Sequence, residues 1–435
     1  MASTRLKRTP SSTGTRTKFT YSAWIKRGSL AYAPLMSAWS ANTDAGYLSL
    51  RFPSSGELDC TGWQTAWFNT NRKFRDINGY FHIVLSVDST LATAGDRMKL
   101  YVNGVQETSF TSKNNPSQNQ EFPFSHSGTP HFIGVQFYAG STYSHYYDGS
   151  MSHVHFIDGT AYDASAFGST DSTTGEWKIN TSPSVTYGTN GFFILKDGNS
   201  VTDQSGQSNN LTVDSGTLTK TEDCPSNVFA TGNPLIKGTN GNSNGNLRTT
   251  SGQNSWESMW TTLGASSGKF YAEFKRNSSS YTMFGVRKTE NITTFDEITG
   301  AAGGVGWQSH GSIYNNNSET ESGGSPYATY ADGDIIGVAM DLDNSKLYFH
   351  KNGTYQNSGV PTSGSTGTGA ISLTANAIYH FGFCAYNGSC DANFGNGYFG
   401  TTIVSSAQNP DDGNGIFQYQ PPTGYTALCT KGLNL

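Results

Sequence analysis

Two stretches of this chain place the same turn signal in the same setting. Residues 96–106 read DRMKLYVNGVQ, and residues 345–355 read SKLYFHKNGTY. Each puts Lys-Leu-Tyr and a further apolar residue ahead of Asn-Gly, the dipeptide that supplies the two positive φ angles of a type I′ turn. Such a turn pins strand register, so each stretch commits its surroundings to an antiparallel hairpin. In the first, Leu100 and Val102 face a core while Lys99 and Tyr101 face out. In the second, Leu347 and Phe349 point inward.

The strands ahead of these turns agree. FHIVLSVD (81–88) is apolar on much of both faces and reads as a central strand. GDIIGVAMDLD (333–343) sets Ile336, Val338, Met340 and Leu342 on one face. Period-2 alternation dominates elsewhere and helical periodicity is nearly absent, so the expected class is all-β. One strand–turn–strand plan written twice, in 435 residues, implies two domains rather than one core. The break is expected near residue 222. It is followed by a linker over 223–252, where TGNPLIKGTNGNSNGNL (231–247) is rich in Gly, Asn and Ser. The domains are then 1–222 and 253–435.

Charge excludes several classes of function. Only 14% of residues are charged and the net charge is -5, which gives no general attraction to nucleic acid. Arg5, Lys7, Arg8, Arg16, Lys18, Lys26 and Arg27 meet no acidic residue before Asp44. They read as alternating outward strand positions, with a docking contact for an acidic partner as the alternative. No apolar h-region follows the basic start and no run approaches 18 apolar residues, so neither a secretory signal nor membrane insertion is expected. The five cysteines, Cys60, Cys224, Cys384, Cys390 and Cys429, show no metal-ligand spacing. They read as reduced thiols of a protein made in a cytoplasm, although Cys384 and Cys390 are near enough for a bridge across a hairpin.

Longer segments resemble known families. FTYSAWIKRGSL (19–30), GYFHIVLSVDST (79–90), RMKLYVNGVQ (97–106) and GSMSHVHFIDGTAYDASAFG (149–168) resemble a laminin-G-like, concanavalin A-type lectin domain. SGKFYAEFKR (267–276), ADGDIIGVAMDLDNSKLYFHKNG (331–353) and YHFGFCAYNGSCDANFG (379–395) resemble a SPRY domain. The resemblance implies two antiparallel concanavalin A-like β-sandwich (jelly-roll) domains in tandem. The approach YGTNGFFILKDGNSVTDQSGQSNNLTV (187–213), the junction DCPSNVFATGNPL (223–235) and the ending FQYQPPTGYTALCTKGL (417–433) resemble a pattern in structural proteins of tailed, especially marine, bacteriophages. That implies a virion component, built in the host cytoplasm and contacting other virion proteins.

Catalytic signatures are sparse. Glycosidases of lectin-like fold need paired carboxylates, and Glu57 and Asp59 in ELDCTG are the best local pair, but no third Glu follows. No G-x-S-x-G and no phosphate-binding loop is present. His153 and His155 are spaced for one strand face beside His145, without a further ligand pattern, and read as packing. Asp148, Asp158 and Asp163 lie in loops without calcium-loop spacing. The expectation is a non-enzyme with no metal and no cofactor.

Recognition suits the residues better, because aromatic faces stack on sugar C–H surfaces while amides and carboxylates orient hydroxyls. FYAGSTYSHYYDGS (137–150) offers Tyr138, Tyr143, Tyr146, Tyr147 and Asp148. WQSHGSIYNNN (307–317) and SPYATYADGD (325–334) offer Trp307, Tyr314, Tyr327, Tyr330 and Asp332. Trp24, Phe81, Phe274, Phe284 and Phe349 are assigned to cores, and Trp177 and Tyr187 to strand edges. The expected function is a tail-fibre or adhesin-type appendage binding a host-surface glycan. The alternatives are a capsid- or tail-decorating protein and, more remotely, a polysaccharide-degrading enzyme. No heptad run supplies a shaft, and a homotrimer is the expected assembly.

Overall fold

The computed structural model describes residues 3–434, apart from 141, 197, 199, 238–240, 293–297, 301 and 302 and the side chains of 237, 253 and 434. The chain divides into two compact units, Met1–Lys220 and Thr221–Leu435, and the named strands of both sandwiches pair antiparallel apart from one short parallel contact in the second.

The first unit is a β-sandwich. One sheet runs Phe110–Lys113, Ala66–Thr70, Asp59–Thr61, Tyr47–Phe52, Ala33–Trp39, His131–Ile133, Arg5–Arg8, Thr212–Ser215. The other runs Phe192–Ile194, Gly149–Asp158, Lys18–Arg27, Phe81–Asp88, Met98–Val102, Val105–Gln106. Ile83, Leu85 and Val87 enter the core between the sheets with Leu100 and Val102, while Val84 enters a second cluster on the outer face with Ile157, Phe167 and Phe193. Burial on both faces explains why residues 81–88 read as an unbroken apolar run. Asn103 (φ 47°) and Gly104 (φ 81°) make the type I′ turn, with Val102 opposite Val105.

The second unit is also a sandwich, built around three long strands, Arg248–Thr261, Lys269–Lys288 and Tyr379–Asn393. Phe274 and Phe284 lie ten residues apart on one of them and would be roughly 33 Å apart on a straight strand. Their rings instead stack at 5.1 Å, so the strand doubles back, at the register shift between Arg276 and Ser279. Its first half pairs with Ile335–Asp341 in one layer and its second half with Gly304–Gln308 in the other. Ile336, Val338, Met340, Leu347 and Phe349 fill the core as the alternation implies. Asn352 (φ 49°) and Gly353 (φ 86°) repeat the type I′ turn. Alternation alone leaves Tyr348 and His350 facing water, yet each is 1% exposed. Phe417, Tyr425, Ala427 and Cys429 from the C-terminal segment cluster with Tyr348, and the Tyr419 ring meets His350 at 5.4 Å.

Two sequence expectations need correction, and the alternative of a Cys384–Cys390 bridge falls away. The stretch 223–252 is no linker, apart from 238–240, which lie outside the described residues. Gly232–Lys237 pairs with Arg248–Thr261, and Phe229 and Ala230 are buried. Its small polar residues supply turns within a unit rather than a tether between units. Lys26 and Arg27 are not outward charges, being 3% and 1% exposed; Arg27 donates to the carbonyls of Phe74 (2.8 Å) and Ala31 (2.9 Å). Cys384 and Cys390 share one strand, on either side of a bend, and all five cysteines are free thiols.

Candidate ligand-binding site

The strand Arg5–Arg8 lies between His131–Ile133 and Thr212–Ser215. Leu6 enters the core, so Arg5 and Lys7 project from the other face of the sheet. There the hairpin Val135–Tyr138 and Thr142–Tyr146 makes a small cluster, with Phe132, Val135 and Phe137 buried and Trp39, Tyr143 and Tyr146 partly so. The Arg5 guanidinium sits 3.7 Å from the Tyr143 ring centroid. It donates to Tyr146 Oη (3.1 Å) and to Asp214 Oδ2 (2.6 Å). Burial opposes the charge on Arg5, but Asp214 and Tyr146 outweigh it and raise its pKa. Lys7 Nζ stands 3.8 Å from Asp214 Oδ1.

Lys7 and Asp214 also line an open groove of about 460 Å³, together with Arg8, Thr9, Ser11, Ser208, Asn209, Asn210 and Thr212. Asp203 holds the wall in place by accepting from the backbone N–H groups of Ser205 (2.9 Å) and Asn209 (2.8 Å). Arg8 donates to Asn209 Oδ1 and to Asn190 Oδ1 (3.4 Å), while its Nη1 is buried with no hydrogen bond among the described residues. Burial lowers the Arg8 pKa, against the pull of Asp203 and Asp158. The groove thus offers hydroxyl, amide and cationic groups and a single carboxylate, next to half-buried tyrosines. That donor and acceptor set matches a polyhydroxyl ligand.

Of the five residues expected here, Tyr143 and Tyr146 join Arg5, and Tyr138 is half-buried opposite Thr142. Tyr147 is turned inward, 8% exposed, with its hydroxyl donating to the Lys26 carbonyl (2.8 Å). Neighbours on an extended chain face opposite ways, so Tyr146 and Tyr147 do not share a surface. Asp148 is half-buried, and its carbonyl accepts from Gly28 N (2.8 Å).

The second expected site dissolves. Trp307, Tyr327 and Tyr330 are 0%, 2% and 3% exposed and belong to the core of the second unit. Tyr330 Oη donates to the carbonyls of Trp307 (2.8 Å) and Thr282 (3.0 Å). Tyr314 packs beside Trp260 and Met283, and Asp332 is ion-paired with Arg276 at 2.8 Å. The Gly- and Asp-flanked segment reads as a loop, but its two tyrosines close one end of the core.

The catalytic and metal candidates have structural partners. Lys73 hydrogen-bonds Glu57 and holds its carboxyl down at about 2, and Arg51 grips Asp59 through two nitrogens at 2.8 and 3.3 Å. His155 bonds Tyr187 Oη at 2.9 Å and stacks on Phe193 at 4.0 Å. His153 sits at the bulge of its strand with φ 49°. Asp158 accepts from the N–H groups of Thr15 and Asn190, and Asp163 from Ser165. Among the described residues no three His, Cys, Asp or Glu side chains gather as metal ligands. Sequence reasoning missed Arg5, Lys7, Asn209 and Asp214 as a group. The alternating Arg5 and Lys7 were a signal, but Asp214 lies 209 residues beyond Arg5.

The first unit is thus a β-sandwich carrying an open polar groove beside an aromatic cluster. Residues 3–165 match the family model described as the concanavalin A-like lectin/glucanases superfamily, of laminin-G type. No curated protein matches the chain. Solved structures similar to it include the SPRY domain of human HERC1, at 16% identity over 37% of this chain and 96% of that one, TM-score 0.30. A heptameric SAP-like pentraxin from Limulus polyphemus matches at 16% identity over 37% and 72%, TM-score 0.29. The TRIM65 PSpry domain matches at 15% over 37% and 89%, TM-score 0.29.

Proposed function

We propose that this chain is a virion structural protein of a tailed bacteriophage, an adhesin-type appendage whose first unit binds a host-surface glycan. One observation carries the binding half of the reading. Residues on Arg5–Arg8 join a groove rich in hydroxyls and amides to the Tyr143–Tyr146 cluster through the shared Lys7 and Asp214. The virion half is supported by the resemblance of residues 187–213, 223–235 and 417–433 to phage structural proteins. The chain acts by binding rather than hydrolysis, since Glu57 and Asp59 are each committed to a cation. It assembles as a homotrimer with other virion proteins.

An array of bacterial capsular and O-antigen polysaccharides tests the binding half. The full chain binds at least one glycan, and Lys7→Ala or Tyr146→Ala weakens binding about tenfold, the loss of one good polar or stacking contact. No binding to any array member, or equal binding by both variants, defeats it. Labelled antibody on intact virions tests placement, with tail-tip labelling supporting adhesion. A decorating role is favoured by the burial of Tyr147, Trp307, Tyr327 and Tyr330, which removes these aromatics from any surface. Uniform capsid labelling establishes that role instead.

A further inference from the structure

The second unit carries an aromatic row that belongs to none of the sites above. Trp256, Tyr386 and Tyr281 stand on the three long strands just past the bend, with Trp256 and Tyr281 each directly opposite Tyr386. Ring centroids are 5.5 Å apart for Trp256–Tyr386, 6.1 Å for Tyr281–Tyr386 and 6.4 Å for Trp256–Tyr281. Tyr281 is 45% exposed and the other two are half-buried. None of the three polar tips, two hydroxyls and an indole N–H, has a hydrogen-bond partner among the described residues. Beside the row, Asn254 and Asn387 fix each other, Asn254 N donating to Asn387 Oδ1 (2.7 Å) and Asn387 Nδ2 donating to Asn254 Oδ1 (3.0 Å).

We infer that this row is a second glycan site, a stacking platform for an uncharged pyranose. Charge and area decide the occupant. Residues 254–256, 279–282 and 385–388 contain no Asp, Glu, Lys or Arg; His310 stands edge-on to Tyr281 at 6.2 Å and the nearby Arg276 is already paired with Asp332, which favours an uncharged ligand. Even three fully open aromatic side chains present only roughly 450–750 Å², and here two of the three are half-buried, against about 800 Å² per partner in a stable protein–protein contact. A second copy of the chain therefore finds too little here, whereas one sugar ring is of matching size. Its C–H face packs on the aromatic rings, and its hydroxyls reach the two free phenols, the indole N–H and the asparagine amides. Cross-strand aromatic packing also supports a sheet. A purely structural row predicts lower melting temperatures on truncation and no sugar dependence.

Affinity electrophoresis of the full chain through gels containing dextran, mannan, laminarin or galactan separates these cases. The chain is retarded in at least one gel, and Tyr281→Ala, at the exposed end of the row, weakens that retardation about tenfold. Trp256→Ala does the same, while Ile403→Ala, at an exposed apolar side chain outside both sites, leaves it unchanged. Retardation in none of the four gels overturns the inference, as does equal retardation of Tyr281→Ala and the parent. Loss of retardation through Tyr146→Ala alone assigns the sugar to the first unit and also overturns it. A change in oligomeric state caused by Tyr281→Ala makes the row a contact between copies and overturns it equally.

Discussion

Asn103 and His82 exchange two hydrogen bonds, Asn103 N donating to the His82 carbonyl (2.9 Å) and His82 N donating to Asn103 Oδ1 (2.7 Å). Asn352 and Ile335 do the same in the second unit, at 2.8 and 2.9 Å. The turn asparagine thus ties itself to the start of the preceding strand while holding the left-handed φ of a type I′ turn. An aromatic ring covers the glycine of each turn. A Cβ on Gly104 collides with Trp177, and one on Gly353 comes within 2.9 Å of Tyr419.

Asn103→Ala and Asn352→Ala each lose the side-chain bond and gain left-handed strain, together about 2 kcal/mol. Asn→Gly at the same positions loses only the bond, about 1 kcal/mol. Calorimetric melts of the four variants check the ordering, and equal effects of Ala and Gly would remove the strain argument.

Glu273 makes the second unit sensitive to pH. It is 0% exposed and accepts from Gln418 N (2.8 Å), Tyr419 N (2.7 Å), Tyr271 Oη (3.0 Å) and Asn393 Nδ2 (3.3 Å). Burial nevertheless pushes its carboxyl up from 4.5 to about 7, against those bonds. Between these values the native state holds a proton that the unfolded chain has released. The Glu273 contribution to stability therefore falls as pH rises through the window, by roughly 3 kcal/mol. Buried His350 and half-buried His380, held neutral in the native state, contribute the opposite slope below their unfolded pKa, so urea titrations from pH 4.5 to 7.5 show the Glu273 contribution as the difference between the parent and Glu273→Gln.

Tyr147→Phe removes the hydroxyl that reaches the Lys26 and Ser150 carbonyls. It costs about 1 kcal/mol, and Tyr147→Ala costs about 3 kcal/mol or more through the cavity left behind. Neither change acts through ligand contact, so glycan affinity per folded molecule is unaltered. A tenfold affinity loss in Tyr147→Phe would return this residue to the binding surface.

Thiol titration reports the burial of the cysteines. Burial pushes the Cys60 and Cys390 thiols well above their usual range and raises Cys429, whereas Cys224 is half-exposed. A disulfide-exchange reagent at pH 8 modifies Cys224 quickly in the native chain and the other four only after denaturation. Fast reaction of more than one thiol would contradict the packing.

Local order is legible in the sequence itself. The two Asn-Gly turns, the strands ahead of them and their inward faces follow from period-2 alternation and from the backbone angles that Asn-Gly adopts, both properties of neighbouring residues. Which outer faces meet water was not readable. The C-terminal segment covers Tyr348 and His350, and Trp307 and Tyr330 turn into the core from a stretch with loop composition. The candidate sites divide in the same way. Tyr143 and Tyr146 were found because they share one hairpin. Arg5 meets Asp214, and Trp256, Tyr281 and Tyr386 meet one another, only through strand pairing between distant segments. Strand propensity and turn type are encoded over a few residues, but burial and cross-strand neighbours depend on register and layer, which the folded chain alone defines.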